Sequence, residues 1–312
     1  MKLQELPIGM YGAVMGLAGL GLTARATATV VPGVFRAPAY FTELWVALGV
    51  IAFLVLVPLY VAKLARFPGA VKQEFLNPMQ LGFCGALPVG MALVAGGVAP
   101  YLPALGNALW WTAFALLLAF QVWALLRWLS GGMELAQVNA GWLIIMVGGI
   151  VFPGPGIALG NAEAARFIFG ISAVASPIMM ALLFYRAVLG VPLPEALRPT
   201  WFILLVPPSL VYANGVALYP GSAILENLFF FSLVLAVALL VYSRRLLSWP
   251  FGPPWWAFTF PLDALAYAAA RYAQDHPSPP WRGVAGATLL LATAFVALVL
   301  WRTLRSAASR AG

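Results

Sequence analysis

The sequence has 312 residues, of which 63% are hydrophobic and only 8% are charged, with a mean hydropathy of +0.95 and a formal net charge of +8. Because a soluble domain carries about 25% charged residues, this composition excludes an ordinary soluble globular protein. A single cysteine, Cys84, and a single histidine, His276, also exclude a disulfide framework and a Cys/His metal cluster. We therefore expect no metal and no cofactor.

Apolar stretches long enough to cross a bilayer, which takes about 20 residues each, follow one another along the chain. In order they cover residues 7–24, 41–62, 79–98, 103–126, 139–160, 164–189, 199–218, 223–243, 254–271 and 283–301. Strands of a membrane barrel would need many more polar residues. The pattern predicts an all-α polytopic membrane protein with ten transmembrane helices, in which residues 1–312 form a single transmembrane domain.

The positive charges collect in the loops between these stretches, which indicates membrane orientation and argues against a nucleic-acid partner. When the N-terminus is placed inside, most of the 17 Lys and Arg residues fall on the inner side. The outer side receives Arg25, Arg36, Arg166, Arg271 and Arg282. Since cytoplasmic loops carry an excess of Lys and Arg, both termini are predicted to be cytoplasmic.

The odd-numbered stretches are interrupted by Gly and Pro, whereas the even-numbered ones are smoother, with Pro58 and Pro177 as exceptions. Proline removes a backbone donor, and lipid offers the freed carbonyls no water, so breaks are tolerated only where protein or a water-filled cavity covers them. The pattern predicts five kinked inner helices around a central pore and five outer helices. Close helix packing is the alternative role for any single glycine. The residues predicted to line or kink the pore are Gly12, Gly16, Gly19, Pro88, Gly148, Gly149, Pro153, Pro207 and Pro261.

Several short motifs occur in the same order as in one known family. Residues 255–262 read WWAFTFPL, and residues 7–12, 86–88, 197–200 and 206–209 read PIGMYG, ALP, LRPT and VPPS. The chain resembles the tellurite-resistance/dicarboxylate transporter (TDT) family, which includes the bacterial TehA proteins and the slow-type anion channels of plant guard cells.

The resemblance implies a gated anion channel, not an enzyme, that conducts chloride and nitrate-like anions across the bacterial inner membrane. It also implies a homotrimer with one pore in each protomer, and it assigns Phe260 as the ring that plugs the pore. The fifth helix departs from the family pattern, because Trp142 is followed by Leu143 and the prolines come only at Pro153 and Pro155. The kink in this helix is therefore predicted to be displaced.

Asp263 lies three residues beyond Phe260 in an apolar run. Ionisable residues inside membranes are functional candidates, so Asp263 is predicted to bind a proton or to tune the gate. Hydrogen bonding to a neighbouring Ser, Thr or Tyr is the alternative. A proton-linked Asp263 would fit a second function, which is a proton-coupled secondary transporter of C4-dicarboxylates or an exporter of sulfite or tellurite-type oxyanions.

Overall fold

A computed structural model describes residues 3–30 and 39–309, and within these ranges the chain forms helices and no strand. Three of the positive charges used to predict orientation, Lys2, Arg36 and Arg310, lie outside the described residues. The helices group into ten successive segments, numbered here in chain order, which correspond to the ten predicted stretches.

The even-numbered segments are long α-helices without a break. They are segment 2 (Ala39–Arg66), segment 4 (Pro103–Leu129), segment 6 (Ala162–Leu189), segment 8 (Glu226–Tyr242) and segment 10 (Pro279–Ala308). Segments 4 and 10 begin with proline at the first helical turn, where its missing N–H would be unpaired in any case. Pro58 and Pro177 lie inside segments 2 and 6 at exposed positions, and both helices continue through them.

Each odd-numbered segment contains a 3₁₀ part as well as an α-helix. Segment 1 is Ile8–Met10 then Tyr11–Val30; segment 3 is Leu81–Gly85 then Ala86–Val98; segment 5 is Gly141–Val147, the 3₁₀ turn Gly148–Val151 and then Pro153–Ala158; segment 7 is Glu195–Leu205 then Val206–Leu218; segment 9 is Pro253–Phe258 then Thr259–Asp275. A short surface helix, Pro68–Leu76, follows segment 2, and single 3₁₀ turns lie at Leu3–Glu5, Leu135–Gln137, Ala223–Leu225 and Leu246–Ser248.

Glycines in the 3₁₀ parts allow neighbouring segments to approach closely. A Cβ on Gly85 in segment 3 would lie 2.6 Å from the Cα of Ile145 in segment 5, so only glycine fits there. The backbone of segment 5 thus packs directly on the backbone of segment 3.

Eight helices of the described chain are long and apolar enough to cross a membrane, and they comprise segments 2 to 8 and segment 10. Segment 1 and segment 9 lie outside this set. In the most apolar stretch of segments 3, 5 and 7, 78% of the residues are buried within the protein, against 22% to 39% in the even-numbered segments. The most apolar stretches of segments 3, 5 and 7 are therefore much more buried within the protein than those of the even-numbered segments.

Candidate permeation path

Two cavities lie among the five odd-numbered segments, which are called the broken segments from here on because each combines a 3₁₀ part with an α-helix. The first cavity, of about 40 Å³, receives residues from all five, and the second, of about 250 Å³, does so as well. In every broken segment the residues at the second cavity come later in the chain than those at the first, apart from the residues that line both. The first cavity is lined by Gly12, Val89, Leu143, Ile203 and Trp256 among others, and the second by Gly19, Leu93, Gly154, Leu210 and Ala264 among others. The two cavities thus follow one another along the direction of the segments.

The side chain of Phe260 lies between the two cavities. Phe260 and Val151 contribute to the walls of both, and Phe260 is only 6% exposed. Among the residues that the structure describes, no Lys, Arg, Asp or Glu lines either cavity. An apolar ring between two small cavities blocks by volume and keeps water out, which is how a hydrophobic constriction closes a pore.

A third cavity, of about 350 Å³, precedes the first at the N-terminal ends of the broken segments. Its wall includes Ile8 and Gly9 of segment 1, Phe83 of segment 3 and Leu197, close to the start of segment 7. Glu74 from the surface helix also contributes. The three cavities together follow the broken segments from their N-terminal ends to beyond Phe260.

Gly12, Gly16 and Gly19 of segment 1 face segment 9, and they differ in what they contact. A Cβ on Gly19 would lie 2.9 Å from Cδ2 of Phe260, so the ring packs directly against this glycine. A Cβ on Gly16 would overlap the side chain of Thr259, whereas one on Gly12 would make an ordinary contact, 3.4 Å from Cβ of Trp256. Gly12 and Gly19 also line the cavities, while Gly16 serves close packing between segments 1 and 9.

The other residues predicted to line or kink the pore also divide into two groups. Pro207 and Pro261 line the first cavity, as does Gly148. Pro88 and Pro153 are buried in the first turns of the α-helices that follow the 3₁₀ parts of segments 3 and 5. Gly149 packs against segment 6, since a Cβ there would lie 2.6 Å from the main-chain oxygen of Ile168.

Side chains from neighbouring segments bond the carbonyls that the break in segment 5 frees. The oxygen of Met146 accepts hydrogen bonds from Nε2 of Gln121, at 3.0 Å, and from Oγ of Ser172, at 3.2 Å. The oxygen of Ile150 accepts one from Nδ2 of Asn214, at 2.7 Å. The oxygen of Phe152 keeps its backbone bond from the nitrogen of Gly156 and accepts a second one from Nε1 of Trp110. The break therefore keeps its polar groups paired away from water, as a membrane interior requires.

The carboxyl group of Asp263 is buried beside the ring of Phe260. Asp263 is 1% exposed, and neither of its oxygens has a hydrogen-bond partner among the described residues. Its Oδ2 lies over Gly19, where a Cβ would be 3.0 Å away, next to the place where the Phe260 ring packs. Thr23 donates its hydroxyl to the main-chain oxygen of Asp263, at 3.2 Å, and so leaves the carboxyl group unpaired.

Comparison with known proteins identifies the family of this chain. Residues 5–304, nearly the whole chain, match the voltage-dependent anion channel family. The chain belongs to this family. The resemblance to the TDT family that the sequence motifs indicated is thereby confirmed.

Proteins from a plant and from an archaeon resemble the chain along most of its length. The S-type anion channel SLAH3 of Arabidopsis thaliana is 26% identical over 87% of this chain and 44% of its own length. The guard cell S-type anion channel SLAC1 of the same plant is 26% identical over 97% of this chain and 56% of its own length. An uncharacterized transporter of Methanocaldococcus jannaschii is 25% identical over 81% of this chain and 80% of its own length. The chain spans about half the length of these plant relatives.

Two polar clusters lie near the ends of the path. The sequence analysis did not predict either of them as a cluster. Nζ of Lys63 lies 2.9 Å from Oε2 of Glu74 and donates to the oxygen of Leu6, while Tyr60 donates its hydroxyl to the same Glu74 oxygen. This buried cluster ties segment 2 and the surface helix to the start of segment 1. Tyr60 and Lys63 share segment 2, whereas Glu74 lies on the surface helix and Leu6 before segment 1, so no local signal in the sequence could have brought all four together.

At the opposite end of segment 1, Arg25 forms a two-pronged ion pair with Glu43 of segment 2. Nε donates to Oε1 at 2.9 Å, Nη2 to Oε2 at 2.5 Å, and Nη1 donates to the oxygen of Gly97 in segment 3. The pair joins three segments beside the second cavity. Among the described residues there is no group of three His, Cys, Asp or Glu side chains that could hold a metal ion.

Proposed function

We propose that the protein is a gated anion channel that conducts chloride and nitrate-like anions through a pore within each protomer, with Phe260 as the gate. The observation that carries the proposal is that Phe260 lines both cavities between the five broken segments. Membership of the voltage-dependent anion channel family and the S-type anion channels among the relatives support it.

The proposed architecture has ten membrane spans, of which the five broken segments form the inner ring and the five continuous segments the outer ring. The high burial of segments 3, 5 and 7 supports this division, as does the low exposure of Phe260 on segment 9. The proposed assembly is a homotrimer in the bacterial inner (plasma) membrane. Both termini are proposed to be cytoplasmic, and the excess of positive charge on one side supports this orientation.

Attraction of anions without a fixed positive charge is part of the proposal. The α-helices of segments 3, 7 and 9 begin inside the protein at Ala86, Val206 and Thr259, and the N-terminus of a helix carries partial positive charge. A Lys or Arg in the path would hold an anion too tightly for rapid passage, whereas weak attraction allows entry and release. A chloride permeability equal to that for sodium or potassium would contradict this part of the proposal.

Currents from the purified protein in planar bilayers test the gate. Phe260→Ala should raise the chloride conductance by about tenfold or more, the change expected when a barrier falls by about 1.4 kcal/mol. The reversal potential should follow the chloride gradient. Phe167→Ala is the matched control, because Phe167 is 56% exposed on segment 6 and lines neither cavity. Equal conductance in the wild type and in both variants would reject Phe260 as the gate.

A second candidate is a proton-coupled secondary transporter of C4-dicarboxylates, or an exporter of sulfite or tellurite-type oxyanions. The unpaired carboxyl group of Asp263 favours it, because no ion pair or side-chain hydrogen bond of the described residues occupies this group. A transporter should show slow, saturable, pH-dependent uptake that Asp263→Asn abolishes. A channel should show currents set by the anion gradient alone, and these should persist in Asp263→Asn.

A further inference from the structure

The third cavity differs from the other two in the charge of its wall. Among the residues that the structure describes, Glu74 is the one charged side chain that lines it, and the first and second cavities have none. A carboxylate repels anions, and its repulsion is strong where protein replaces water. Its presence beside a path for anions therefore requires groups that balance its charge.

Three donors converge on the carboxylate of Glu74. Oε2 lies 2.9 Å from Nζ of Lys63 and accepts a hydrogen bond from the hydroxyl of Tyr60, at 2.7 Å. Oε1 accepts one from the main-chain nitrogen of Ile8, at 3.3 Å. Lys63 is 1% exposed and Tyr60 is 8% exposed, so protein surrounds these donors. An ammonium, a phenol and an amide that face one carboxylate form a donor set that binds an anion.

The main-chain nitrogen of Ile8 lies at the N-terminal end of segment 1. The 3₁₀ turn Ile8–Met10 leads directly into the α-helix Tyr11–Val30, so this nitrogen has no carbonyl partner inside the segment. The N-terminal end of a helix carries partial positive charge. Pro7, which precedes the turn, provides no side-chain cap. The carboxylate of Glu74 takes the place of this cap from a different helix.

Lys63 depends on an anion at this position. Its ammonium is buried, it donates to the main-chain oxygen of Leu6, and Glu74 is its ion-pair partner among the described residues. A buried charge that loses its partner is strongly destabilising. The donor set therefore needs an anion, and the protein supplies one from its own chain.

We propose that Lys63, Tyr60 and the main-chain nitrogen of Ile8 form an anion-binding site at the third cavity, which Glu74 occupies as a built-in anion. This inference rests on the proposed anion conduction and adds a residue that sets how tightly the third cavity holds an anion. With Glu74 in place, the charge of Lys63 is balanced, and anions pass the third cavity without being held. Without Glu74, the space that its side chain leaves joins the cavity, and a small anion binds to the same donors.

Glu74→Ala vacates the site, and alanine suits the surface helix. Formate is the probe, because it is the carboxylate group that the substitution removes. The unfolding temperature of Glu74→Ala should be about 2 °C or more higher in sodium formate than in sodium gluconate at equal concentration, because a ligand stabilises the state that binds it. Gluconate is too large for the vacated space. The wild type, whose site is occupied, should unfold at the same temperature in both salts.

Glu195→Ala is the matched control at the same end of the protein. Oε1 of Glu195 lies 2.8 Å from Nη1 of Arg198, but the Glu195 side chain is 56% exposed, so its loss removes a paired carboxylate without vacating a buried site. This variant should unfold at the same temperature in formate and in gluconate. The difference between the two salts should also disappear when Glu74→Ala is combined with Lys63→Met, because the ammonium that holds the anion is then absent.

Currents through the Phe260→Ala variant, in which the gate does not limit flow, measure the effect on conduction. Adding Glu74→Ala should raise the conductance about twofold or more at about 10 mM chloride, where the charge of Lys63 is screened only over about 30 Å. The difference should shrink at about 1 M chloride, where screening acts within about 3 Å. The chloride concentration that gives half of the maximal conductance should therefore be lower than with Glu74 in place.

Glu74→Gln tests the same donors if Glu74→Ala does not fold, because it keeps the shape of the side chain and removes its charge. It should also raise the conductance at low chloride. An unchanged conductance in Glu74→Gln would overturn the proposal. Equal unfolding temperatures of Glu74→Ala in formate and in gluconate would overturn it as well, and Glu74 would then serve only to join the surface helix to segment 1.

The two measurements separate this inference from the proposed function. If formate stabilises Glu74→Ala and no form of the protein conducts anions, the conduction proposal fails and the binding site stands. If the protein conducts anions and formate gives no stabilisation of Glu74→Ala, the binding site fails and the channel stands.

Discussion

Segments 5 and 6 are neighbours in the chain and have similar apolar character, but their backbones behave differently. Segment 6 is one helix of 28 residues that continues through Pro177, whereas segment 5 is divided into three short helical pieces. Pro177 lies at an exposed position, where its ring faces away from the protein. The break in segment 5 is buried, and its freed carbonyls receive donors from segments 4, 6 and 7. Proline alone therefore does not break a membrane helix, and a complete break occurs where neighbouring segments can bond the carbonyls.

The largest effect expected from this comparison concerns Gly149 in the break. Gly149→Ala would place a Cβ 2.5 Å from Oγ of Ser172 and 2.6 Å from the oxygen of Ile168, and the latter is backbone that cannot move easily. We expect a loss of about 3 kcal/mol of stability, at the upper end for overpacking, measured as a lower unfolding temperature in detergent. Gly170→Ala on segment 6 meets nothing within 4 Å, and it should leave that temperature unchanged or raise it by a few degrees, because alanine suits a helix interior better than glycine. Equal temperatures for both variants would show that the segments are not packed as closely as described.

A smaller effect is expected at Ser172, which supports the break from outside. Its hydroxyl donates to the oxygen of Met146 and accepts from the main-chain nitrogen of Gly149 and from Gln121. Ser172→Ala should cost about 1 to 2 kcal/mol, because it removes the side-chain acceptor of the main-chain nitrogen of Gly149 and one of the two side-chain donors to the Met146 oxygen. The control is Ser176→Ala, whose hydroxyl donates only within its own helix, to the oxygen of Ser172. If Ser176→Ala lowers the unfolding temperature as much as Ser172→Ala does, then the loss of stability in Ser172→Ala does not come from the hydrogen bonds to segment 5.

The smallest effect is expected at Pro177 itself. Pro177→Ala restores a backbone donor to a helix that is already continuous, and the side chain it removes is exposed. The unfolding temperature should stay the same or rise by a few degrees, and anion currents should be unchanged. A clear loss of stability would mean that Pro177 packs against a surface, such as a second protomer, that lies outside this chain.

The sequence predicted the class of the protein and the positions of its breaks well, because both depend on neighbouring residues. Twenty-residue apolar stretches with Gly and Pro in alternate ones indicated which segments would be broken, and the displaced break of segment 5 indeed lies around residues 148–153. Ten membrane helices were predicted. The structure confirms a helical protein and gives eight candidate spans among the described residues. Segment 9 lies outside this set, and its α-helix carries Asp263, Arg271 and Asp275.

The roles of individual residues could be predicted only in part. Asp263 stood out because a carboxylate in an apolar run is rare, and its burial without a partner agrees with that signal. Gly16 and Gly149 share their residue type with Gly12 and Gly19, yet Gly12 and Gly19 line the first and second cavities and Gly16 and Gly149 do not. Nothing local distinguishes these pairs, because the difference depends on which segment lies opposite.

By itself, the sequence determined that the chain is a helical membrane protein of the voltage-dependent anion channel family, and that alternate helices are broken. These properties follow from composition, from the loss of backbone donors at proline and from motifs of adjacent residues. Only the tertiary structure decided that Phe260 lines two cavities, and that Ser172 and Asn214 bond the carbonyls of segment 5. A cavity and a hydrogen bond between distant residues exist only once the segments have come together, so no stretch of the sequence contains them.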